Sequence, residues 1–255
     1  MSEKVSCLLQ KLEKGIEDLA DSEKYKEYLC VMSKFHTYSV NNTLLILMQY
    51  PAATKVAGYR AWQTKFCRNV RKGEKAIKIF SPIVKQEVNK DGENVMVFKG
   101  YKITNVFDIS QTEGKDLPEI AKPLEGGDYG AVIVKLEECA GCPVVYVDNL
   151  GNAFGSCDYK TIKIRKDLSS SQVLKTLLHE VAHFKLHCGS NLSREIKEVE
   201  AESVAFVVAA WLGLDTSAYS FGYVLEWGKG LDRKGRKESF KRISSCSKEI
   251  IENLK

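Results

Sequence analysis

The sequence has no apolar run long enough to cross a membrane; the longest candidate is the short TLLILM stretch at Thr43–Met48. Its opening, MSEKVSCLLQKLEKG, lacks the basic start and extended apolar core of a secretion signal. A non-membrane, cytoplasmic protein is the expectation. Eight cysteines are scattered without a disulfide framework, and a chain of 255 residues needs no such staples. The one close pair, Cys139 and Cys142 in CAGC, has no second pair at zinc-finger spacing, which reads as an incidental pair. No internal repeat or low-complexity tract is present. Histidine is scarce, with only four in the chain, so the places where it occurs carry weight.

Charge is plentiful but uneven. Residues 1–115 hold 19 Lys and Arg against 13 Asp and Glu, and the window Lys34–Lys102 holds 13 against 4. The remainder is close to neutral. Such asymmetry suggests two halves with different partners, the first of them polyanionic. In the first half, Val5, Leu8, Leu9, Leu12, Ile16 and Leu19 recur at helical spacing, and further helices are expected over Lys24–Phe35 and from Asn41 or Asn42 to Pro51. KAIKIFSPI and VMVFKGYKITNVFDI read as a hairpin with Asp91-Gly92 at the turn. The Gly-, Pro- and charge-rich stretch Ser110–Gly130 is the expected linker. The domain boundaries expected are 1–118 and 119–255, both α+β.

Two of the four histidines stand in TLLHEVAHFKLH, Thr176–His187. Residues four apart share a helix face, so His179 and His183 can reach one metal ion. Glu180, about 100° round the helix, is placed to act on a metal-activated water as general base. Val173, Leu177, Val181 and Phe184 form the apolar stripe that leaves the histidines on a flank, and one of Ser169–Ser171 caps the helix, which Gly189 closes. A catalytic zinc needs a third protein ligand and an open position. REIKEVEAESVAFVVAAWLGL forms the next helix, ending at Gly213. Glu198 and Glu202 share a face there, with Val199, Val204, Val207, Val208 and Trp211 on the buried side and Glu200 pointing roughly 200° away. Glu198 is the expected ligand, Glu202 the carboxylate that orients a histidine, and His187 an outer neighbour of the site.

Together these motifs resemble the gluzincin-type metallopeptidase domains of the ImmA/IrrE and ArdC C-terminal group, over about residues 125–225. The resemblance implies a minimal zincin-like fold, one Zn2+ (other divalent ions suiting the same donors) held by His179, His183 and Glu198, and Glu180 as the catalytic residue. It also implies that NAFGSCDYKTIKIRKDL supplies a strand pair beside the cleft, with an edge at Ala153–Ser156 able to pair with an extended peptide. Tyr219 or Tyr223 would serve as oxyanion donor.

The first half mixes Tyr38, Tyr59, Trp62 and Phe66 with Arg60, Lys65, Arg68, Arg71, Lys72, Lys75 and Lys78, a combination suited to stacking bases and neutralising phosphates. Asn41-Asn42, MQYPAATKVAGYRAWQ, RNVRKGEKAIKIFSP and VFDISQTEG, in that order, resemble the N-terminal domain of ArdC antirestriction proteins. That likeness covers about residues 10–115 and implies single-stranded DNA as partner, with Asn41, Gln49, Arg60, Trp62, Arg68, Lys72 and Lys75 as contacts. Cys67 departs from the family pattern, standing where a Gly precedes the Arg. The expectation is an ArdC-like antirestriction protein of a mobile element, binding single-stranded DNA and carrying a zinc-dependent peptidase site that acts on a DNA-associated protein. Two alternatives stand beside it: a non-catalytic strand-coating protein with a structural metal, and an ImmA-type regulatory protease that cleaves a repressor.

Overall fold

The computed structural model describes residues 3–90, 93–117, 129–214, 216 and 224–255. The fold is α+β, and the chain divides into two compact units: residues 1–15 with 41–118, and residues 16–40 with 119–255. The expected cut at 118/119 is therefore only half of the division. Residues 16–40 leave the first unit because helix α2 (Ser22–Lys34) buries Tyr25, Tyr28, Leu29 and Met32, and its Tyr25 hydroxyl sits 2.8 Å from Ser203 Oγ. Tyr25 also packs edge-on against Trp227, and both Tyr25 and Tyr28 pack against Phe240. Aromatics of this size bring far more burial than a linear boundary can anticipate. No described helix is long and apolar enough to cross a membrane.

The first unit contains residues 3–15 of α1 (Glu3–Asp18), most of α3 (Val40–Gln49), α4 (Tyr59–Phe66) and two sheets. The larger sheet runs β1 (Val56–Gly58), β4 (Asn94–Asp108), β3 (Ile77–Val88), all antiparallel, so the expected hairpin is β3–β4. Asp91 and Gly92, its expected turn, lie outside the described residues. The smaller sheet pairs β2 (Arg68–Val70) with β5 (Thr112–Gly114). On α3, Asn42 and Gln49 face β3, and each closes a two-bond amide clamp on its backbone. Asn42 Nδ2 donates to Phe80 O at 2.9 Å and Phe80 N to Asn42 Oδ1 at 2.9 Å; Gln49 Nε2 donates to Lys78 O at 2.9 Å and Lys78 N to Gln49 Oε1 at 3.0 Å. Two carboxamides thus satisfy backbone groups on the edge of β3 that has no neighbouring strand among the described residues, which would otherwise invite another strand.

The second unit stacks α6 (Ser170–His187) on α7 (Arg194–Leu212), with α2, α8 (Val224–Gly230) and α9 (Arg233–Leu254) packed on α7, and α5 (Gly130–Cys139) against α6 and α9. α7 is buried almost continuously from Val199 to Ala209, as suits the central helix. Ser169 caps α6 in a capping box with Gln172, and Gly189 follows the helix at φ +70°. Beside α6 lies a mixed sheet, β6 (Val144–Val147) parallel to β8 (Ile162–Arg165), and β7 (Gly155–Cys157) antiparallel to β8 at the edge. Ile162 and Ile164 bury the inner face of this sheet.

Candidate metal centre

The capped α6 and the apolar stripe beneath it fix the rotation of His179 and His183, and the short turn at 188–193 returns the chain so that α7 presents Glu198 to them. His179 Nε2 and His183 Nε2 are 3.0 Å apart; Glu198 Oε2 is 3.5 Å from the first and 3.6 Å from the second. Four-coordinate zinc with ligand bonds of about 2.0–2.1 Å separates neighbouring donors by roughly 3.3 Å, so this triangle fits a divalent ion without rearrangement. Among the described residues, these three form the one cluster of donor groups compact enough to hold a metal.

The surroundings are arranged for ligation. His179 Nδ1 donates to Glu202 Oε2 at 3.1 Å, fixing the tautomer that leaves Nε2 free. Burial opposes a charge on His179, but hydrogen bonds to Glu198 and Glu202 outweigh it and raise its pKa to about 10, so a metal ion must displace a proton from Nε2 to bind there. Hydrogen bonds from His179 and His183 hold Glu198 well below the usual carboxylate range. Burial lowers His183, favouring the neutral imidazole a metal requires. Glu180 is buried, and desolvation pushes it up to about 7 despite the pull of His179.

His187 is fully enclosed, with Nδ1 at 3.1 Å from His183 Nδ1 and Nε2 at 3.3 Å from Glu200 Oε2. Glu200 in turn accepts two hydrogen bonds from Arg242 of α9, one of them from Nε at 3.0 Å. Burial works against the charge on Glu200, yet the bonds from His187 and Arg242 hold its pKa down. The network assigns a proton to each junction: His183 Nδ1–H donates to His187 Nδ1, and His187 Nε2–H donates to Glu200. Glu200, expected to point away from the centre, is the buried base of this relay because the end of α6 reaches round to it. Arg242 carried no sequence signal; it lies 42 residues from Glu200.

β7 closes one side of the centre. A Cβ on Gly155 would lie 2.6 Å from Thr176 Cγ2 and 3.0 Å from Glu180 Oε1, so only glycine lets this edge strand lie so close to the carboxylate. Clefts of about 400 and 560 Å3 open around it and share Gly155, His179 and Glu180. The larger also touches Tyr159, which has φ +61°, an uncommon conformation for a non-glycine residue. Tyr219 and Tyr223, the expected oxyanion donors, lie outside the described residues.

The expected DNA contacts divide. Trp62 is not a stacking platform: it is fully buried, and its Nε1 donates to Phe107 O at 2.9 Å. Arg68 is not available either. Its Nε donates to Thr112 Oγ1 at 2.7 Å, and its other nitrogens bond the carbonyls of Thr112, Gly114 and Lys115, locking β2 to β5. Both residues are spent on the fold because an aromatic or guanidinium with this many matching acceptors gains more inside than at the surface. Gln49 is committed to its clamp on β3. Arg60, Lys72 and Lys75 are exposed, and Asn41 is half-buried. Cys67 takes the left-handed conformation, φ 53° and ψ 40°, that a Gly would meet without strain.

Comparison with known proteins agrees with this architecture. Residues 3–110 match the family of the N-terminal domain of anti-restriction factor ArdC. The metal-free crystal structure of the antirestriction ArdC protein from the R388 plasmid superposes with a TM-score of 0.53 at 19% identity, covering 85% of each chain. Its Mn(II)-bound structure gives 0.52 at 20% identity, again with 85% of each chain covered. An uncharacterized Bacillus anthracis protein, pXO2-81, is 27% identical over 285 residues; the match takes in 88% of this chain but spans only 46%, about half, of the relative's length. The first part of the chain thus matches the family of the ArdC N-terminal domain, and over 85% of its length the chain shares the fold of the R388 ArdC protein.

Proposed function

We propose that this chain is an antirestriction protein of the ArdC kind, binding single-stranded DNA through its first unit and cleaving a DNA-associated protein at a metal centre in its second. The observation that carries the second half is the His179–His183–Glu198 triangle with Glu180 beside it. The Mn(II)-bound structure of R388 ArdC supports a divalent ion as occupant; zinc is the proposed ion here because two imidazoles and one carboxylate are a zinc donor set. When bound, the ion supplies Lewis-acid polarisation. The chain's own residues do the rest. Three ligands, with Glu198 on the exposed side, leave the centre open rather than closed as in structural sites. Glu180, with its pKa near 7, accepts a proton from the attacking water and returns it to the leaving amine. The outer strand of its sheet, β7, half-buried over its three residues from Gly155 to Cys157, pairs through its free edge with an extended peptide and sets it against Glu180.

The first half of the proposal rests on the excess of basic residues over Lys34–Lys102 and on Arg60, Lys72 and Lys75 at the surface of an ArdC N-terminal domain. Holding a strand raises the local concentration of proteins bound to it. The test combines metal content with protection of incoming DNA. Purified wild type should carry about one divalent ion, and His183→Ala should carry none. Glu180→Gln should keep the ion and lose cleavage and protection. Full protection by Glu180→Gln would refute the peptidase and leave a strand-coating protein.

A further inference from the structure

Once Trp62, Arg68 and Gln49 are committed to the fold, the first unit needs another surface to meet a strand. One exists. Two cavities of about 470 and 430 Å3 share Leu8, Lys11, Lys78 and Asn105 and so form one continuous groove between α1 and the β3–β4 sheet. Lys4 and Lys11 line it from α1, Lys75 and Lys78 from the β3 side, and no carboxylate lines it. All four lysines are exposed, and none enters an ion pair found among the described residues. The floor is apolar, with Leu8 buried, Leu45 buried and Met48 42% exposed.

Resting on the single-strand reading above, we propose that this groove is where the strand lies. Its two rims of ammonium groups match the regular negative charge of a sugar–phosphate backbone. The apolar floor takes base faces, which a duplex keeps stacked internally. Asn105 pairs with Lys78 across β3 and β4, so its amide stands on the same face, beside Lys78, to meet base edges. The Gln49 clamp holds the backbone of Lys78, whose side chain lines the groove. Lys4, Lys11 and Asn105 fall outside the stretch of mixed aromatic and basic residues, because α1 is remote in sequence from the strands that it meets.

The experiment uses the full chain and a fluorescent oligo-dT, with anisotropy measured across a salt series. Lys11→Glu/Lys78→Glu should weaken binding at least tenfold at low salt. The slope of log affinity against log salt should become shallower by about 1.4, two phosphate contacts at roughly 0.7 each. Lys11→Arg/Lys78→Arg should restore binding and, with circular dichroism, shows that the fold tolerates change there. Lys85→Glu/Lys90→Glu makes the same charge change on the distal part of the hairpin and should bind as wild type. Wild-type affinity in Lys11→Glu/Lys78→Glu, or equal weakening by Lys85→Glu/Lys90→Glu, overturns the groove while leaving the single-strand reading intact. Tighter binding to duplex than to oligo-dT also overturns it. Failure of the wild type to bind oligo-dT at low salt ends the single-strand reading itself.

Discussion

His187 stands between the metal centre and a buried ion pair: its Nδ1 is 3.1 Å from His183 Nδ1 and its Nε2 is 3.3 Å from Glu200. Imidazole can accept at one nitrogen while donating at the other, which is what this position demands. The carboxylate of Glu200, held by Arg242, thereby determines the orientation of a ligand that it never touches.

His187→Ala should therefore weaken metal binding about 10- to 100-fold, the usual cost of losing an orienting partner. Competition with a chromophoric chelator measures this directly. His187→Gln, which keeps an acceptor near His183, should recover part of the loss; equal loss in both variants would mean that His187 only fills space.

Glu180 gives a pH signature to the metal-free protein. Its folded pKa, about 7, is raised from the ordinary 4.5 by burial. A carboxyl raised in this way contributes stability in full below pH 4.5, and that contribution is lost as pH rises through 7. Glu180→Gln removes the dependence. Relative to wild type, the variant should gain stability between pH 4.5 and 7, approaching roughly 3 kcal/mol above pH 7. Thermal melts of both proteins in chelator from pH 5 to 8 test it; a constant difference across that range contradicts the buried carboxyl.

Gly155→Ala should cost about 1–3 kcal/mol, because the added methyl meets Thr176 Cγ2 at 2.6 Å and the Glu180 carboxylate at 3.0 Å. Adding Thr176→Ser removes the nearer clash and should return most of that stability. Recovery in the double variant, read by chemical denaturation, distinguishes this contact from a general weakness of the edge strand.

Cys67→Gly should stabilise the protein by about 1 kcal/mol, since φ 53° strains any residue with a Cβ. Arg68→Ala should destabilise it by roughly 2–3 kcal/mol through its lost backbone hydrogen bonds. At temperatures where the variant stays folded, its affinity for oligo-dT should match wild type.

The candidate metal centre was legible because its chemistry is local. His179 and His183 share a helix face through spacing alone, and an adjacent amphipathic helix limits the third donor to a few carboxylates, of which the structure brings in Glu198. The capping serine, the β3–β4 pairing and the helical reading of α7 follow from equally short-range rules.

The contacts of the first unit were not legible in the same way. Composition marks a basic, aromatic stretch, but Trp62 and Arg68 look the same in a sequence whether they face a base or the Phe107 and Thr112 carbonyls. The sequence by itself determined which residues can ligate, cap or turn, because those properties belong to side chains and to spacing along one helix or strand. Only the tertiary structure decided that residues 16–40 join the second unit, that Glu200 backs His187, and that lysines of α1 and β3 share a groove. Each of these joins segments distant along the chain, where the balance between burial and exposed charge is settled by packing.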